Sequence, residues 1–211
     1  FKKLDDKSCA LASFLQNILK LSKGSRVAIM MPNILQYPIC TFGILRAGLI
    51  VENVNPLYSP RELETQLKNS QSETIIIIEN FANILEQVIT NTSIKNVIIT
   101  SAGEFLGIKG HLINFVLRKI KKMVPKYNFN QAYNFSKIIE VGSRYEFKEA
   151  SIDLNDVAFL QYTGGTTGIV KAAKLTHKNI LSNVLQVKEW LGSNLKYGED
   201  IAICALPLFH I

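Results

Sequence analysis

Apolar residues at Leu11, Phe14, Leu15, Ile18 and Leu19 recur at the three- and four-residue spacing of one helical face. Gly24 then breaks the pattern ahead of Val27-Ala28-Ile29-Met30, which reads as a strand. Pro32 and Asn33 mark a turn, Leu35 to Ala47 reads as helix, and Gly48 stops it before Leu49-Ile50-Val51. Ser59-Pro60-Arg61-Glu62 has the form of a capping box with proline at the first helical position, so a helix should start at Pro60. Ile75 to Ile78 and Val97-Ile98-Ile99 are wholly apolar and β-branched, the composition of strands covered on both faces. Between them Asn80 is placed to cap a helix through Val88. Alternating helices and doubly covered strands predict an α/β fold on a parallel sheet.

Further along, apolar residues at 108, 112, 113, 116, 117, 120, 123 and 124 form one face of a predicted helix. The stretch 127–152 is polar and Asn-rich, and reads as an irregular surface connection. Regular structure resumes with an apolar strand from Val157 into Leu160. Lys171 to Leu175 follows as a possible strand, Thr176 caps a helix over Asn179 to Leu191, and Ile201 to Leu206 reads as a last apolar strand. The expected organisation is therefore 1–126 as a first α/β segment, 127–152 as a connection and 153–211 as a second segment. No internal repeat suggests a solenoid.

Charge changes this picture in one place. The 211 residues carry 24 Lys and Arg against 17 Asp and Glu. Between Phe105 and Ile139 there is no acid but seven bases: Lys109, Arg118, Lys119, Lys121, Lys122, Lys126 and Lys137. The net charge of +7 is thus concentrated around the predicted helix 108–124. Two readings stand open: a surface helix packed on the domain, or an amphipathic anchor for an anionic membrane surface. Nucleic acid is not expected, because no base-reading motif accompanies the charge. Cys9, Cys40 and Cys204 are odd in number, scattered and set among apolar residues, which suits reduced core thiols rather than a disulfide or metal pair. Without a signal peptide or a long apolar run, the chain is expected to be cytoplasmic, with peripheral contact at the inner face of a membrane as the sharper option. It begins at Phe1 and runs straight into an amphipathic pattern, so the natural start is expected upstream and both ends read as cut.

The candidate chemistry lies in Leu160-Gln161-Tyr162-Thr163-Gly164-Gly165-Thr166-Thr167-Gly168-Ile169-Val170-Lys171. Glycines let backbone N–H groups turn inward, threonine hydroxyls add donors, and a lysine supplies charge, an inventory suited to a polyphosphate. The spacing matches neither the Gly-Lys-Ser/Thr loop nor the Gly-x-Gly dinucleotide fingerprint. A plain glycine turn would need neither the clustered hydroxyls nor the lysine.

This stretch resembles the signature loop of the adenylate-forming enzymes. With Leu175-Thr176-His177-Lys178-Asn179 it looks like the long-chain fatty-acid CoA ligases in particular. Met31-Pro32-Asn33, Gln36-Tyr37-Pro38, Gly43 to Gly48, Val54 to Tyr58, Pro60 to Leu63 and Leu206-Pro207-Leu208-Phe209-His210 agree in order. The resemblance implies layered parallel-sheet subdomains of the large N-terminal domain of such an enzyme, truncated at both ends. It implies activation of a fatty acid by ATP with Mg2+ to an acyl adenylate, then transfer to coenzyme A. Tyr162, Thr163, Gly164, Gly165, Thr166, Thr167, Gly168 and Lys171 would hold the phosphates, and His210 would stand beside the adenylate and the acyl pocket. His177 would be structural, and His111 has no identified role. The segments that hold adenine, ribose and magnesium in the family would lie past Ile211, so residues 1–211 alone are expected to be inactive. Chain-length preference rests on the resemblance alone, and a related ligase acting on another acid stays open. Two departures stand out. Ala172 replaces the usual glycine after the loop lysine, which would strain the loop if that position needs positive φ. Glu52 replaces an apolar residue in a strand, so either it reaches solvent or the site has drifted toward an inactive remnant.

Overall fold

The computed structural model describes residues 1–163, 171–192, 196, 198–201 and 203–210. In chain order the elements are α1 (Lys2–Asn17), β1 (Arg26–Met30), α2 (Gln36–Arg46), β2 (Ile50–Asn53), α3 (Pro60–Ser70), β3 (Thr74–Ile78) and α4 (Ala82–Val88). They continue with β4 (Asn96–Thr100), α5 (Ile108–Phe115), β5 (Tyr133–Asn134), α6 (Phe135–Gly142), β6 (Val157–Thr163), β7 (Lys171–Thr176) and α7 (His177–Leu191). Among the described residues the strands form one sheet in the order β5-β4-β3-β1-β2-β6-β7. Every pairing is parallel except the antiparallel β6–β7 hairpin. The expected α/β class and parallel sheet are what the chain adopts.

Successive strand residues face opposite sides, so one strand feeds two cores. Val27 and Ile29 of β1 and Ile76 of β3 join Leu11, Phe14, Ile44 and Phe135 in a cluster under α1, α2 and α6. Ala28, Met30, Ile75 and Ile77 join Leu63, Leu67 and Leu85 under α3 and α4 on the other face. This is why the isoleucine run of β3 carries no polar interruption. α1 lies between α2 and α6 at close quarters. A Cβ on Gly43 would stand 2.8 Å from Leu11 Cδ2, and one on Gly142 would stand 1.9 Å from the Ala10 carbonyl oxygen. The predicted capping box opens α3: Ser59 Oγ accepts from the Glu62 N–H at 3.4 Å, and Glu62 Oε2 accepts from the Ser59 N–H at 2.8 Å.

Several local expectations are corrected. The supposed irregular connection 127–152 contains β5 and α6. Asn134 Oδ1 accepts from the Lys137 N–H at 3.1 Å, and Phe135, Ile138 and Ile139 bury one helical face. Their spacing was readable, but α6 spans only eight residues inside a polar stretch. Asn80 does not cap α4; it sits in a tight turn, Glu79–Phe81, and donates to the Met123 carbonyl at 2.9 Å. The basic helix does not reach 124. α5 widens into a π-helical segment, Val116–Ile120, and stops there; Lys122 follows at a left-handed φ of 51°, and Val124, which precedes Pro125, is disfavoured in helical conformation. Of the segment 201–206 the described residues form no strand, and Ile201, Ile203 and Leu206 are exposed. Cys40 is buried as expected of a core thiol, but Cys204 is exposed.

Candidate functional site: the β6–β7 hairpin and the segment before His210

β6 joins the parallel sheet beside β2, with Val51, Glu52 and Asn53 opposite Phe159, Leu160 and Gln161. It therefore ends at the same edge as the parallel strands, where open α/β sheets bind their ligands. β7 returns antiparallel, with Tyr162 opposite Ala172 and Thr163 opposite Lys171. β6 thus ends, and β7 begins, at that edge. Gly164, Gly165, Thr166, Thr167 and Gly168 lie outside the described residues. Lys171 begins β7 with its side chain exposed. Ala172 is not among the residues with positive φ, so the expected strain does not arise there. As the sequence suggested, the helix after the hairpin starts late, with Thr176 as its cap: Thr176 Oγ1 accepts from the Asn179 N–H at 3.2 Å. His177 opens α7, its backbone N–H donating to the Asp156 carbonyl at 3.0 Å.

Tyr162 turns back into the fold. Its hydroxyl donates to Asn69 Oδ1 of α3 at 2.8 Å and its ring is buried. Burial pushes the phenol pKa up, and the nearby Glu52 pushes it further. The hydroxyl therefore anchors the hairpin to α3. Glu52 does not reach solvent: it is fully buried and hydrogen-bonded. Gln66 Nε2 donates to its Oε1 at 2.8 Å and the Ser72 hydroxyl bonds its Oε2. Burial raises its pKa, while these hydrogen bonds and the Arg26 charge pull the other way. A buried carboxylate with both oxygens engaged is a tolerated core group, which the sequence could not show because its partners lie 14 and 20 residues away.

His210 is exposed, and its ring stacks at 49° on Phe209 with 4.7 Å between centroids. Its N–H donates to the Pro207 carbonyl at 3.1 Å. Leu208 and Phe209 are partly buried against the core cluster beneath α1 and α2. Sequence reading missed the residues that bring this segment to the sheet, Asn33 and Gln161, although both fall inside motifs already singled out. Among the described residues no group of three or more His, Cys, Asp or Glu could hold a metal ion, so no magnesium ligand is assigned within them.

A mostly parallel α/β sheet extended by the β6–β7 hairpin is the architecture of the large N-terminal domain of adenylate-forming proteins, of which this chain covers part. The chain belongs to the family of AMP-binding enzymes, whose model matches residues 1–211. It is 51% identical over its whole length to the long-chain-fatty-acid–CoA ligase of Salmonella typhimurium, and spans 38% of that protein. Against the long-chain-fatty-acid–CoA ligase of Bacillus subtilis it is 34% identical over 95% of its length, covering 36% of the relative. The crystal structure of a long-chain-fatty-acid–CoA ligase from Archaeoglobus fulgidus superimposes with a TM-score of 0.74 at 25% identity, over the whole of this chain and 36% of the other.

Proposed function

We propose that the protein to which these residues belong activates a long-chain fatty acid with ATP to an acyl adenylate and passes the acyl group to coenzyme A. The observation that carries this reading is the 51% identity over the whole chain with a long-chain-fatty-acid–CoA ligase. The β6–β7 hairpin at the binding edge agrees with it. In the first step a carboxylate oxygen attacks the α-phosphorus of ATP and pyrophosphate leaves. The backbone and hydroxyls of Thr163 to Gly168 would donate to the β- and γ-phosphate oxygens, with Lys171 as a mobile positive charge, stabilising the negative charge that builds on the leaving group. Tyr162 contributes by anchoring the strand that leads into the loop. His210 would border the adenylate and the acyl chain. Magnesium would enter with ATP and neutralise phosphate charge. Fatty-acid-dependent exchange of pyrophosphate into ATP by the full-length protein tests the reading. Lys171→Ala should lower kcat/KM for ATP by about 10²-fold, and absence of exchange in the wild type would sink it.

A second reading concerns location, and one observation favours it. Ile108, Leu112, Phe115, Ile120 and Met123 are exposed beside exposed Lys109, Lys119, Lys121 and Lys122. Arg118 of this basic run, itself half exposed, forks onto the buried Glu79 with Nε 3.0 Å from both carboxylate oxygens. No helix among the described residues is long and apolar enough to cross a membrane. The exposed face suits peripheral contact with anionic lipid. Each basic residue near such a surface is worth about 1 kcal/mol. Replacing Lys119, Lys121 and Lys122 by Gln should therefore weaken sedimentation with phosphatidylglycerol vesicles by roughly 10²-fold, while binding to phosphatidylcholine stays negligible. Equal binding of wild type and triple variant would exclude it. Ala172 has no positive φ and Glu52 is hydrogen-bonded, so neither departure from the family pattern marks strain among the described residues.

A further inference from the structure

We infer that Asn33 and Gln161 are positioning residues that clamp the backbone of 206–209 to the ends of β1 and β6 and so fix where His210 stands. The inference rests on the functional reading just given, which places His210 beside the reacting carboxyl group.

Asn33 lies just past β1, where a turn-forming asparagine would ordinarily bond its own neighbours. Instead its Nδ2 donates to the Leu206 carbonyl at 2.8 Å and its Oδ1 accepts from the Leu208 N–H at 2.8 Å. One side-chain amide thus pairs with the peptide chain as a neighbouring strand would, across 173 and 175 residues of sequence. The described part of 201–206 has no strand partner and exposes its large apolar residues. Side-chain bonds therefore do the work of a ladder here.

The second clamp comes from within the sheet. Gln161 Nε2 donates to the Phe209 carbonyl at 3.1 Å, the residue directly before His210. A carbonyl can only accept, so Gln161 must present its nitrogen there and its oxygen inward. That oxygen accepts from Asn53 Nδ2 at 3.0 Å, and Asn53 Oδ1 in turn accepts from the Tyr37 hydroxyl at 2.6 Å. Tyr37, Asn53 and Gln161 are all buried. The relay thus has one polarity from α2 through β2 and β6 to the segment that ends in His210. Burial keeps the Tyr37 phenol protonated as the first donor.

The test uses the full-length protein with Asn33→Ala, Asn33→Asp, His210→Ala and the double variant Asn33→Ala/His210→Ala. It reads fatty-acid-dependent pyrophosphate exchange, thermal midpoint and amide exchange in a peptide covering 204–210. Asn33→Ala should lower kcat/KM for the fatty acid by about 10- to 100-fold, the scale of a small misplacement of a reacting geometry. KM for ATP should stay within about twofold, because no described residue of the hairpin is bonded to Asn33. Asn33→Asp keeps the acceptor for Leu208 but loses the donor to Leu206, and should not rescue. Amide exchange at Leu208 should speed up in Asn33→Ala. The double variant should be no slower than His210→Ala, since residues acting through one another are not additive. A fully additive double variant, or an Asn33→Ala protein with wild-type kcat/KM for the fatty acid, would overturn the inference while the functional reading stands. A wild type without fatty-acid-dependent exchange removes the functional reading itself and this inference with it.

Discussion

α1 and α7 have nearly equal length, 16 and 15 residues, and both place apolar side chains at helical spacing. α1 buries Leu11, Phe14 and Leu15 between α2 and α6, whereas no residue of α7 is buried and Leu181, Val184, Leu185 and Trp190 stand exposed. Local signals do not account for the difference. α7 has the stronger start, a capping box at Thr176, while α1 has no side-chain cap. What differs is the supply of neighbours among the described residues: glycines on α2 and α6 let α1 approach, whereas α7 contacts β7 and sets Ile180, partly buried, against the core cluster. Amphipathic pattern states which face can be buried, and only packing decides whether it is.

The comparison can be broken most directly in the core. Leu11→Ala should lower unfolding free energy by about 2–5 kcal/mol because it opens a cavity at the α1–α2 contact. Leu185→Ala in α7 should change it by less than about 0.5 kcal/mol. Urea unfolding of both variants of the 211-residue chain measures this, and equal losses would mean that α7 packs as tightly as α1. The two capping boxes offer a finer version. Ser59→Ala should cost about 1 kcal/mol of global stability, since α3 is part of the packed layer. Thr176→Ala removes the same kind of bond, but should leave the global midpoint nearly unmoved and instead speed amide exchange in the first turn of α7.

The smallest effect concerns Glu52, buried in β2. Its folded pKa is raised above the ordinary 4.5, so the folded state holds the proton more tightly than the unfolded chain. The stability this contributes is fully present below 4.5 and is lost as pH rises through the raised folded value. Glu52→Gln should therefore flatten the fall of stability with rising pH above 4.5, as read from urea midpoints across a pH series. An unchanged slope would assign the pH dependence to another group.

Sequence by itself determined what depends on near neighbours. The isoleucine run of β3 announced a doubly covered strand, Ser59 and Glu62 announced the start of α3, and the resemblance of the Tyr162 to Lys171 stretch and the motifs around it announced the family. α6 was missed because Phe135, Ile138 and Ile139 make too short a periodic signal to outweigh the polar residues around them. Tertiary structure decided everything that needed a distant partner. Glu52 became acceptable because Gln66 and Ser72 reach its carboxylate. Asn33 left its turn to hold Leu206 and Leu208, and Gln161 turned its nitrogen toward Phe209 because Asn53 had taken its oxygen. The physical reason is the same in each case. A side-chain amide or carboxylate is polar wherever it stands in the sequence, and only the fold brings up the donor or acceptor that gives it a direction.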